Sequence, residues 1–146
     1  MKWKIITVGK PALPWARAAV EDYLGRLPRF AQVEWIALRE GTTVQTGARA
    51  LEASSGTRRI VLDERGRQFG SVDFAKWIER QELAGLKCAA LLVGGADGHS
   101  PEVRQDADEV WSLSSMTLQH ELALVVLLEQ LYRACTIMRG GPYHRP

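Results

Sequence analysis

An unbroken apolar run near the middle of the chain is the feature that most constrains the fold. The run is Cys88-Ala89-Ala90-Leu91-Leu92-Val93, bounded by Lys87 on one side and by Gly94-Gly95 on the other. A short apolar segment with such boundaries is typical of a strand that is buried on both faces. Because sheets bury strands in this way only when helices cover both sides, we predict that this strand lies centrally in a parallel sheet.

The rest of the chain alternates between short strand-like runs and longer amphipathic ones. Strands are predicted at residues 3–8, 33–38, 58–63 and 110–113, and helices at 14–27, 43–54, 72–84, from Ser100 onward with Pro101 in the first turn, and at 119–138. This order predicts an α/β fold, with a mostly parallel sheet flanked by helices. A length of 146 residues fits a single domain over 1–146.

Two helices carry more detailed expectations. In the first helix, Ala18, Ala19, Tyr23 and Leu27 are predicted to share the packed face. The helix at 72–84 follows a glycine-rich loop with Gly66 and Gly70, and Ser71 is the expected N-cap. Its buried side chains are predicted to be Phe74, Trp77, Ile78 and Leu83.

The last predicted helix, 119–138, is apolar around its whole circumference. Its run Leu122 to Leu128 places apolar side chains on every face, and such a helix must be covered on all sides. The sheet can cover one side. The other side is expected to meet either the chain's own first helix or a second copy of the protein, as in a twofold dimer.

Composition excludes several other classes of protein. Hydrophobic residues make up 46% of the chain, which argues against disorder. The longest apolar run is far shorter than the roughly 20 residues of a membrane-spanning helix, and the start MKWKIITVGKP does not have the pattern of a secretion signal. We therefore expect a cytoplasmic protein. The two cysteines, Cys88 and Cys135, have no histidine at ligand spacing, so no metal site is expected.

The net charge of +2 is unevenly distributed along the chain. Residues 1–96 have an excess of basic groups, residues 97–129 have an excess of acidic groups, and residues 130–146 contain three arginines and no acid. The basic end either forms an ordinary solvated surface or contacts an anionic partner such as phosphate.

Three segments contain residues suited to chemistry. Gly94-Gly95-Ala96-Asp97-Gly98 follows the central strand, where ligands bind in open α/β sheets, although a simple turn has the same pattern. Ser112 to His120 leads into the last helix, either to cap it or to contact a ligand. The end Gly140-Gly141-Pro142-Tyr143-His144-Arg145-Pro146 is either frayed or brings together groups for stacking, proton transfer and phosphate binding. His144 is the best acid–base candidate, while His99 is expected at the surface and His120 beside the helix start.

Taken together, these segments resemble one known family. LLVGGADG followed by SP, then WSLSSMTLQH, then EQLYRA and PYHR occur in the order found in the ribosomal RNA large subunit methyltransferase H family, which belongs to the knotted SPOUT methyltransferases. The resemblance extends to the opening strand that ends in Val-Gly-Lys, to Glu21–Pro28 and to Leu62-Asp63-Glu64-Arg65-Gly66. It therefore covers essentially the whole chain.

The resemblance implies methyl transfer from S-adenosylmethionine to N3 of a pseudouridine in 23S ribosomal RNA. The low net charge of the chain favours a large preformed target, the assembled ribosome, over free RNA. The resemblance also implies a homodimer and a trefoil knot in the C-terminal half. The family's substrate-end positions correspond to Tyr143, His144 and Arg145. Its cofactor positions, including the neighbouring turn glycine, correspond to Leu62, Gly94, Gly95, Leu113, Ser114, Ser115, Met116, Thr117 and Leu118.

The sequence departs from the family pattern in two places. A common Gly-Gly-Pro-Glu-Gly is Gly94-Gly95-Ala96-Asp97-Gly98 here, and a common Leu-Pro-His is Leu118-Gln119-His120.

Two other functions stay open from the residues alone. One is a ribosome- or RNA-binding module on the same fold without catalysis, and the other is a knotted methyltransferase for a different RNA.

Overall fold

The computed structural model describes residues 1–146, in which five parallel strands form one sheet in the order β2-β1-β4-β3-β5. The strands are β1 (Lys2–Val8), β2 (Gln32–Leu38), β3 (Arg58–Arg67), β4 (Cys88–Leu92) and β5 (Glu109–Trp111). The helices are α1 (Pro14–Arg26), α2 (Thr43–Ala53), α3 (Ser71–Leu83), α4 (Pro101–Gln105) and α5 (His120–Met138). The predicted parallel α/β fold is confirmed, and the apolar run at Cys88 is the central strand.

Two hydrophobic cores lie on opposite faces of the sheet. Alternate residues of β4 enter different cores, because successive side chains of a strand point to opposite faces. Ala89 and Leu91 pack with α1, α3 and α5, whereas Ala90 and Leu92 pack with α2 and α4. The larger core lies under α5, which packs against both α1 and α3. Two helices of the same chain, α1 and α3, therefore cover part of the apolar surface of α5. The sequence had left this surface to either the first helix or a second copy of the protein.

The packed face of α1 agrees with the predicted one only in part. Leu27, just after the helix, is buried as predicted, and Tyr23 is half-buried against the core. Ala18 is exposed and Ala19 half-buried, however, and the buried residues of the helix itself are Ala16 and Val20. Within α3, Phe74, Trp77 and Ile78 are buried as predicted, but Leu83 at the helix end is 89% exposed. The N-cap of α3 is Gly70 rather than Ser71, because Ser71 already has helical geometry. The Asp73 carboxylate accepts a hydrogen bond from the Gly70 N–H at 3.4 Å.

Strand β3 is longer than its sequence pattern indicated. It continues to Arg67, and Trp111 pairs first with Leu62 and again with Arg67. The chain between these two positions therefore bends around the end of β5. A Cβ atom on Gly66 would lie 2.7 Å from backbone atoms of Val110 and Trp111. Only glycine allows this close approach, so the predicted loop containing Gly66 is instead part of the strand.

The Glu109 carboxylate on the edge strand β5 forms hydrogen bonds and an ion pair that connect this strand to the core. It accepts hydrogen bonds from the indole N–H of Trp77 at 3.0 Å and of Trp111 at 3.1 Å, and it forms an ion pair with Arg58 at 2.9 Å. Both indoles are almost fully buried. An unpaired buried donor destabilises a fold by about 1–3 kcal/mol, so this acceptor is important for stability.

We expect Glu109→Gln to lower the free energy of unfolding by about 1–3 kcal/mol. The amide provides one acceptor oxygen, and its NH₂ group would face the other indole N–H, donor against donor. Urea denaturation measures the change. The matched control is Glu34→Gln, whose partner Lys2 is at 3.2 Å in an exposed pair and which should cost less than about 1 kcal/mol. Equal losses in the two variants would contradict the assignment.

No helix of the structure combines the length and the apolar character that crossing a membrane requires.

Candidate functional site

A cavity of about 540 Å³ opens at the carboxyl edge of the sheet. Three chain segments enclose it: the end of β3, the loop after β4, and the loop that joins β5 to α5. Parallel strands bring their carboxyl ends to the same edge, which explains why segments distant in sequence meet here. The cavity is lined by Leu62–Arg65, Val93–His99, Arg104, Leu113, Ser114, Met116–His120 and Ala123.

The loop after β4 forms the tightest part of the cavity. The N–H of Gly98 donates to the carbonyl oxygen of Gly95 at 3.0 Å, which closes a narrow turn. A Cβ atom on Gly94 would lie 3.1–3.3 Å from the backbone of Gly98. Gly98 has a φ of +75°, a conformation that glycine adopts without strain. Ala96 and Asp97 are exposed within this turn and line the cavity, so the departure from the family pattern leaves a closed turn.

Charged side chains line one side of the cavity. The Asp63 carboxylate accepts hydrogen bonds from the Arg65 side chain at 3.0 Å and from Arg104 at 3.4 Å. The Arg65 side-chain hydrogen bond is the largest of the effects that hold the pKa of Asp63 well below its usual range. Asp63 therefore remains an anion that fixes two guanidinium groups at the cavity wall.

The loop between β5 and α5 is held against the end of β3. The Thr117 hydroxyl donates to the Glu64 carboxylate, and the Ser114 hydroxyl accepts from the N–H of Met116 at 3.0 Å. Five of the six residues that the resemblance assigned to the cofactor in this loop line the cavity. Ser115 is the exception, since it is exposed and lies outside the lining. Leu62, Gly94 and Gly95, the other assigned cofactor positions, all line the same cavity.

Two histidines line the cavity, and one of them, His99, differs from its expected setting. His99 is half-buried at the cavity wall rather than exposed, and its Nε2 atom is buried without a hydrogen-bond partner. Burial lowers the pKa of His99 below its ordinary value. His120 begins α5 and also lines the cavity. The N-cap is Gln119, whose side-chain oxygen accepts from Glu121 N–H at 2.9 Å and from Leu122 N–H at 3.0 Å.

The lowered pKa of His99 predicts a pH dependence of stability. Folded His99 resists the proton that the unfolded chain takes up near pH ~6.5, so this contribution to stability is present above that pH and is lost below it. We expect the free energy of unfolding to fall as the pH is lowered from about 7.5 to 5.5, and to fall less in His99→Gln. Urea denaturation of both proteins at the two pH values measures this. An identical pH dependence in both would refute it.

The C-terminal tail is docked against the middle of α5 instead of being frayed. The Tyr143 hydroxyl donates to Glu129 Oε1 at 3.2 Å and lies 3.1 Å from the Tyr23 hydroxyl. The Tyr143 ring packs edge-on against Tyr132, with centroids 4.8 Å apart. Nη1 of Arg133 lies 3.0 Å from Nδ1 of His144. Burial is the largest of the effects that raise the pKa of Tyr143 well above its ordinary value, and the neighbouring Glu129 carboxylate acts in the same direction, so the hydroxyl keeps its proton.

The structure therefore does not bring all the assigned site residues together within one chain. Tyr143, His144 and Arg145 are absent from the cavity lining. The tail contacts Glu129 and Arg133, whereas Ala123 is the last cavity residue on α5. Ten residues of helix separate Ala123 from Arg133, which is about 15 Å along the helix axis.

The cavity also contains functional candidates to which the sequence analysis gave no role. They are Asp63, Glu64, Arg65, His99, Arg104 and His120. A signal for three of them was present in the sequence, since Asp63-Glu64-Arg65 directly follows the buried part of a strand at the same sheet edge. His99 directly follows the glycine turn that the sequence singled out, whereas Arg104 reaches the cavity only through the packing of α4, which the sequence pattern does not specify.

Comparison with known proteins identifies the class. Residues 1–144 match the family model described as "Predicted SPOUT methyltransferase". The chain is 43% identical over 146 residues to ribosomal RNA large subunit methyltransferase H of Thermus thermophilus, covering 100% of both chains. It is 41% identical over 145 residues to the protein of the same name from Deinococcus deserti, covering 99% of this chain and 100% of that one.

A solved structure has the same fold at low sequence identity. The probable methylase family protein from Haemophilus influenzae superimposes with a TM-score of 0.58 and 10% identity, covering 99% of this chain and 70% of that one. The family match over residues 1–144 thus places the chain among the SPOUT methyltransferases. Within that class, the chain belongs to the ribosomal RNA large subunit methyltransferase H family.

S-adenosylmethionine is the methyl donor of SPOUT methyltransferases, and the chemistry of the cavity suits it. The volume is in the usual range for small-molecule sites. Leu62, Leu113 and Leu118 provide apolar surface for an adenine ring. The carboxylates of Asp63, Glu64 and Asp97 complement the positive sulfonium and amino groups, and the guanidinium groups of Arg65 and Arg104 complement a carboxylate.

Proposed function

We propose that this protein methylates N3 of a pseudouridine in the 23S ribosomal RNA of the large ribosomal subunit, with S-adenosylmethionine as the methyl donor. The observation that supports this most is the separation of two built sites: a glycine-lined cavity for a cofactor, and a docked Tyr-His-Arg tail with groups suited to RNA. Relatives that match the full chain are named ribosomal RNA large subunit methyltransferases. We further expect the trefoil knot of the family in the C-terminal half of the chain.

The cavity residues would bind and orient the cofactor. When bound, S-adenosylmethionine supplies a methyl group on a positively charged sulfur. Gly94 and Gly95 let a ligand approach the backbone closely. The loop from Leu113 to Leu118, held to β3 by Thr117 and Glu64, supplies the facing wall. This enclosure fixes the position of the cofactor relative to the acceptor, which lowers the entropic cost of the reaction.

The tail would act on the RNA side of the reaction. Tyr143 is suited to stack on a base, and Arg145, which is exposed, is suited to bind phosphate. Because the tail of one chain is docked about 15 Å along α5 from the cavity of that chain, we propose that it completes the cavity of a second copy. Each active site of the homodimer would then combine the cavity of one protomer with the tail of its partner.

An apolar surface is available for such a dimer on the outer sides of α1 and α5. Trp15 is 51% exposed on the first turn of α1, and the half-buried Leu122 on the first turn of α5 is packed into neither core. The two helix starts are tied together, because the N–H of Leu13 donates to Glu121 at 2.9 Å. Leu127, in contrast, is fully buried within the chain and cannot contribute to an interface.

We expect Leu122→Arg to weaken the dimer, because it places a charge in the proposed apolar interface. Analytical ultracentrifugation at micromolar concentration should then show a mass near the 16.3 kDa of one chain, against twice that mass for the unmodified protein. The control is Leu83→Arg at the exposed end of α3, which should remain a dimer. A single-chain mass for the unmodified protein would refute the proposed dimer.

The assembled ribosome is the expected substrate, rather than free RNA. A net charge of +2 allows little of the phosphate neutralisation that dominates affinity for naked nucleic acid. A preformed surface of RNA and protein adds further contacts to those of the tail. Free 23S RNA should therefore be a much poorer substrate than the intact ribosome.

Mass mapping of methylated nucleosides tests the proposed function. Ribosomes that lack the modification are incubated with the protein and isotope-labelled S-adenosylmethionine, and the RNA is digested to nucleosides. The expected product is a pseudouridine that carries the label on N3. Cofactor binding without any labelled nucleoside would instead favour a binding module, and label only in transfer RNA would favour a methyltransferase for another RNA.

A further inference from the structure

We propose that His144 serves the reaction as a hydrogen-bond donor through its Nε2–H group, and that Arg133 and Glu129 are positioning residues that fix this state. This inference rests on the proposed function and assigns a role within it. It replaces the expectation that His144 is the base that removes a proton. The inference depends on a set of hydrogen bonds around the docked tail, in which the chemistry of the partners determines which group donates in each bond.

The set centres on the carboxylate of Glu129. Its Oε1 atom accepts from Nε and Nη2 of Arg133, at 3.0 Å and 2.6 Å, and from the Tyr143 hydroxyl at 3.2 Å. Because the Tyr143 hydroxyl donates its only proton to Glu129, the Tyr23 hydroxyl at 3.1 Å must donate to Tyr143. Tyr23 therefore donates to Tyr143, while Tyr143 and Arg133 both donate to the Glu129 carboxylate.

The remaining contact determines the state of His144. Nη1 of Arg133 lies 3.0 Å from Nδ1 of His144. A guanidinium group has donors and no acceptor, so Nδ1 must accept and must carry no proton. A neutral imidazole with a bare Nδ1 has its proton on Nε2. The contact is thus compatible only with a neutral ring whose free nitrogen is a donor.

The position of Arg133 is itself well fixed. Its side chain is 22% exposed and that of Glu129 is 20% exposed, and the guanidinium lies 4.9 Å from the centroid of the Tyr143 ring. The hydrogen bond to Glu129 is the largest of the effects that raise the pKa of Arg133. The group that faces Nδ1 is therefore a permanent donor in a stable position.

A donor suits the chemistry of the acceptor. N3 of the base lies between two carbonyl groups, and the N3–H bond must break, with its electron pair left on nitrogen and its proton passed to solvent water. The resulting negative charge spreads onto the carbonyl oxygens, where the Nε2–H of His144 can donate. The nitrogen pair then forms the N–CH₃ bond as the C–S bond breaks with its electrons left on sulfur. Donors aimed at a developing oxyanion contribute strongly to catalysis.

Nuclear magnetic resonance of protein labelled with ¹⁵N-histidine tests the proton position directly. The chain has three histidines, and the His144 signals are those missing from His144→Gln. The expected pattern is a proton on Nε2 and none on Nδ1. Arg133→Met removes the donor and should give a mixture of both neutral forms, and Glu129→Gln should shift the pattern in the same direction. A proton on Nδ1 in the unmodified protein, or no change in Arg133→Met, would overturn the proposal.

Two amide substitutions test the role of the donor. The NH₂ group of Gln lies close to the position of Nε2, whereas that of Asn lies close to the position of Nδ1, and neither amide is a base. Single-turnover methylation of ribosomes should fall about tenfold or less in His144→Gln and about a hundredfold or more in His144→Asn. Equal loss in both would indicate that a base is required and would refute the donor role. If the unmodified protein labels no pseudouridine, the proposed function fails, whereas the proton position is decided by the resonance experiment alone.

Discussion

Replacing Gly94 with valine is expected to weaken the binding of S-adenosylmethionine by at least about a hundredfold, or ~2.7 kcal/mol. A Cβ atom at this position would already lie 3.1 Å from the backbone of Gly98. The two further methyl groups of valine require either a shift of the turn or occupation of the space where the ligand meets the backbone. Either change would remove the backbone surface of the turn against which the cofactor is expected to bind.

Isothermal titration calorimetry measures the affinity, and the thermal midpoint of unfolding shows whether the fold is retained. The matched control is Gly25→Val on α1, where an added Cβ meets no atom within 4 Å. This variant should bind the cofactor like the unmodified protein. Binding by Gly94→Val within about threefold of the unmodified protein would show that the cofactor lies elsewhere.

Removing the tail side chains is expected to separate cofactor binding from methyl transfer. His144→Ala and Arg145→Ala should leave cofactor affinity within about tenfold, or ~1.4 kcal/mol, because neither side chain lines the cavity. Methylation of ribosomes should fall by about a hundredfold or more, as expected when a donor to the developing oxyanion is lost or the substrate is misaligned.

The measurement pairs cofactor titration with single-turnover methylation for each variant. Arg80→Ala serves as the control, since Arg80 is an exposed arginine on α3 away from both the cavity and the tail contacts. It should match the unmodified protein in both assays. If His144→Ala and Arg145→Ala methylate at the unmodified rate, the docked tail has no part in the reaction.

The sequence predicted those features that depend on local patterns. The apolar run at Cys88 is the central strand because alternate residues must be buried in two cores. The glycine turn after it and residues of the loop from Leu113 to Leu118 line one cavity, and their binding of the cofactor, which the resemblance implied, stays a prediction. Helix boundaries marked by Pro101 and Gly85 are also correct, because these residues have strong local conformational preferences.

The features that were missed depend on contacts between distant segments. Strand β3 pairs a second time with Trp111 only because Gly66 can lie against the backbone of β5. No local sequence pattern reveals this contact. The buried face of α1 contains Ala16 and Val20 instead of the predicted Ala18 and Ala19, because this helix packs against α5, which also packs against α3. The hydrogen bond between Arg133 and His144 joins a helix to a tail that could equally have been frayed.

Mixing two inactive variants tests most directly whether two chains form one active site. Gly94→Val has a defective cavity and an intact tail, whereas His144→Ala has an intact cavity and a defective tail. In a mixed dimer, the proposed arrangement joins the intact cavity of one protomer to the intact tail of the other. A site built within one chain would contain a defect in every protomer.

The two variants are unfolded together and refolded as an equal mixture, and methylation of ribosomes is compared with that of each variant refolded alone. Random pairing makes about half of the dimers mixed, and each mixed dimer has one complete site out of two. We therefore predict that activity returns to about a quarter of that of the unmodified protein refolded in the same way, with the label on N3 of pseudouridine. Activity no higher than the average of the two variants alone would contradict an active site shared between protomers.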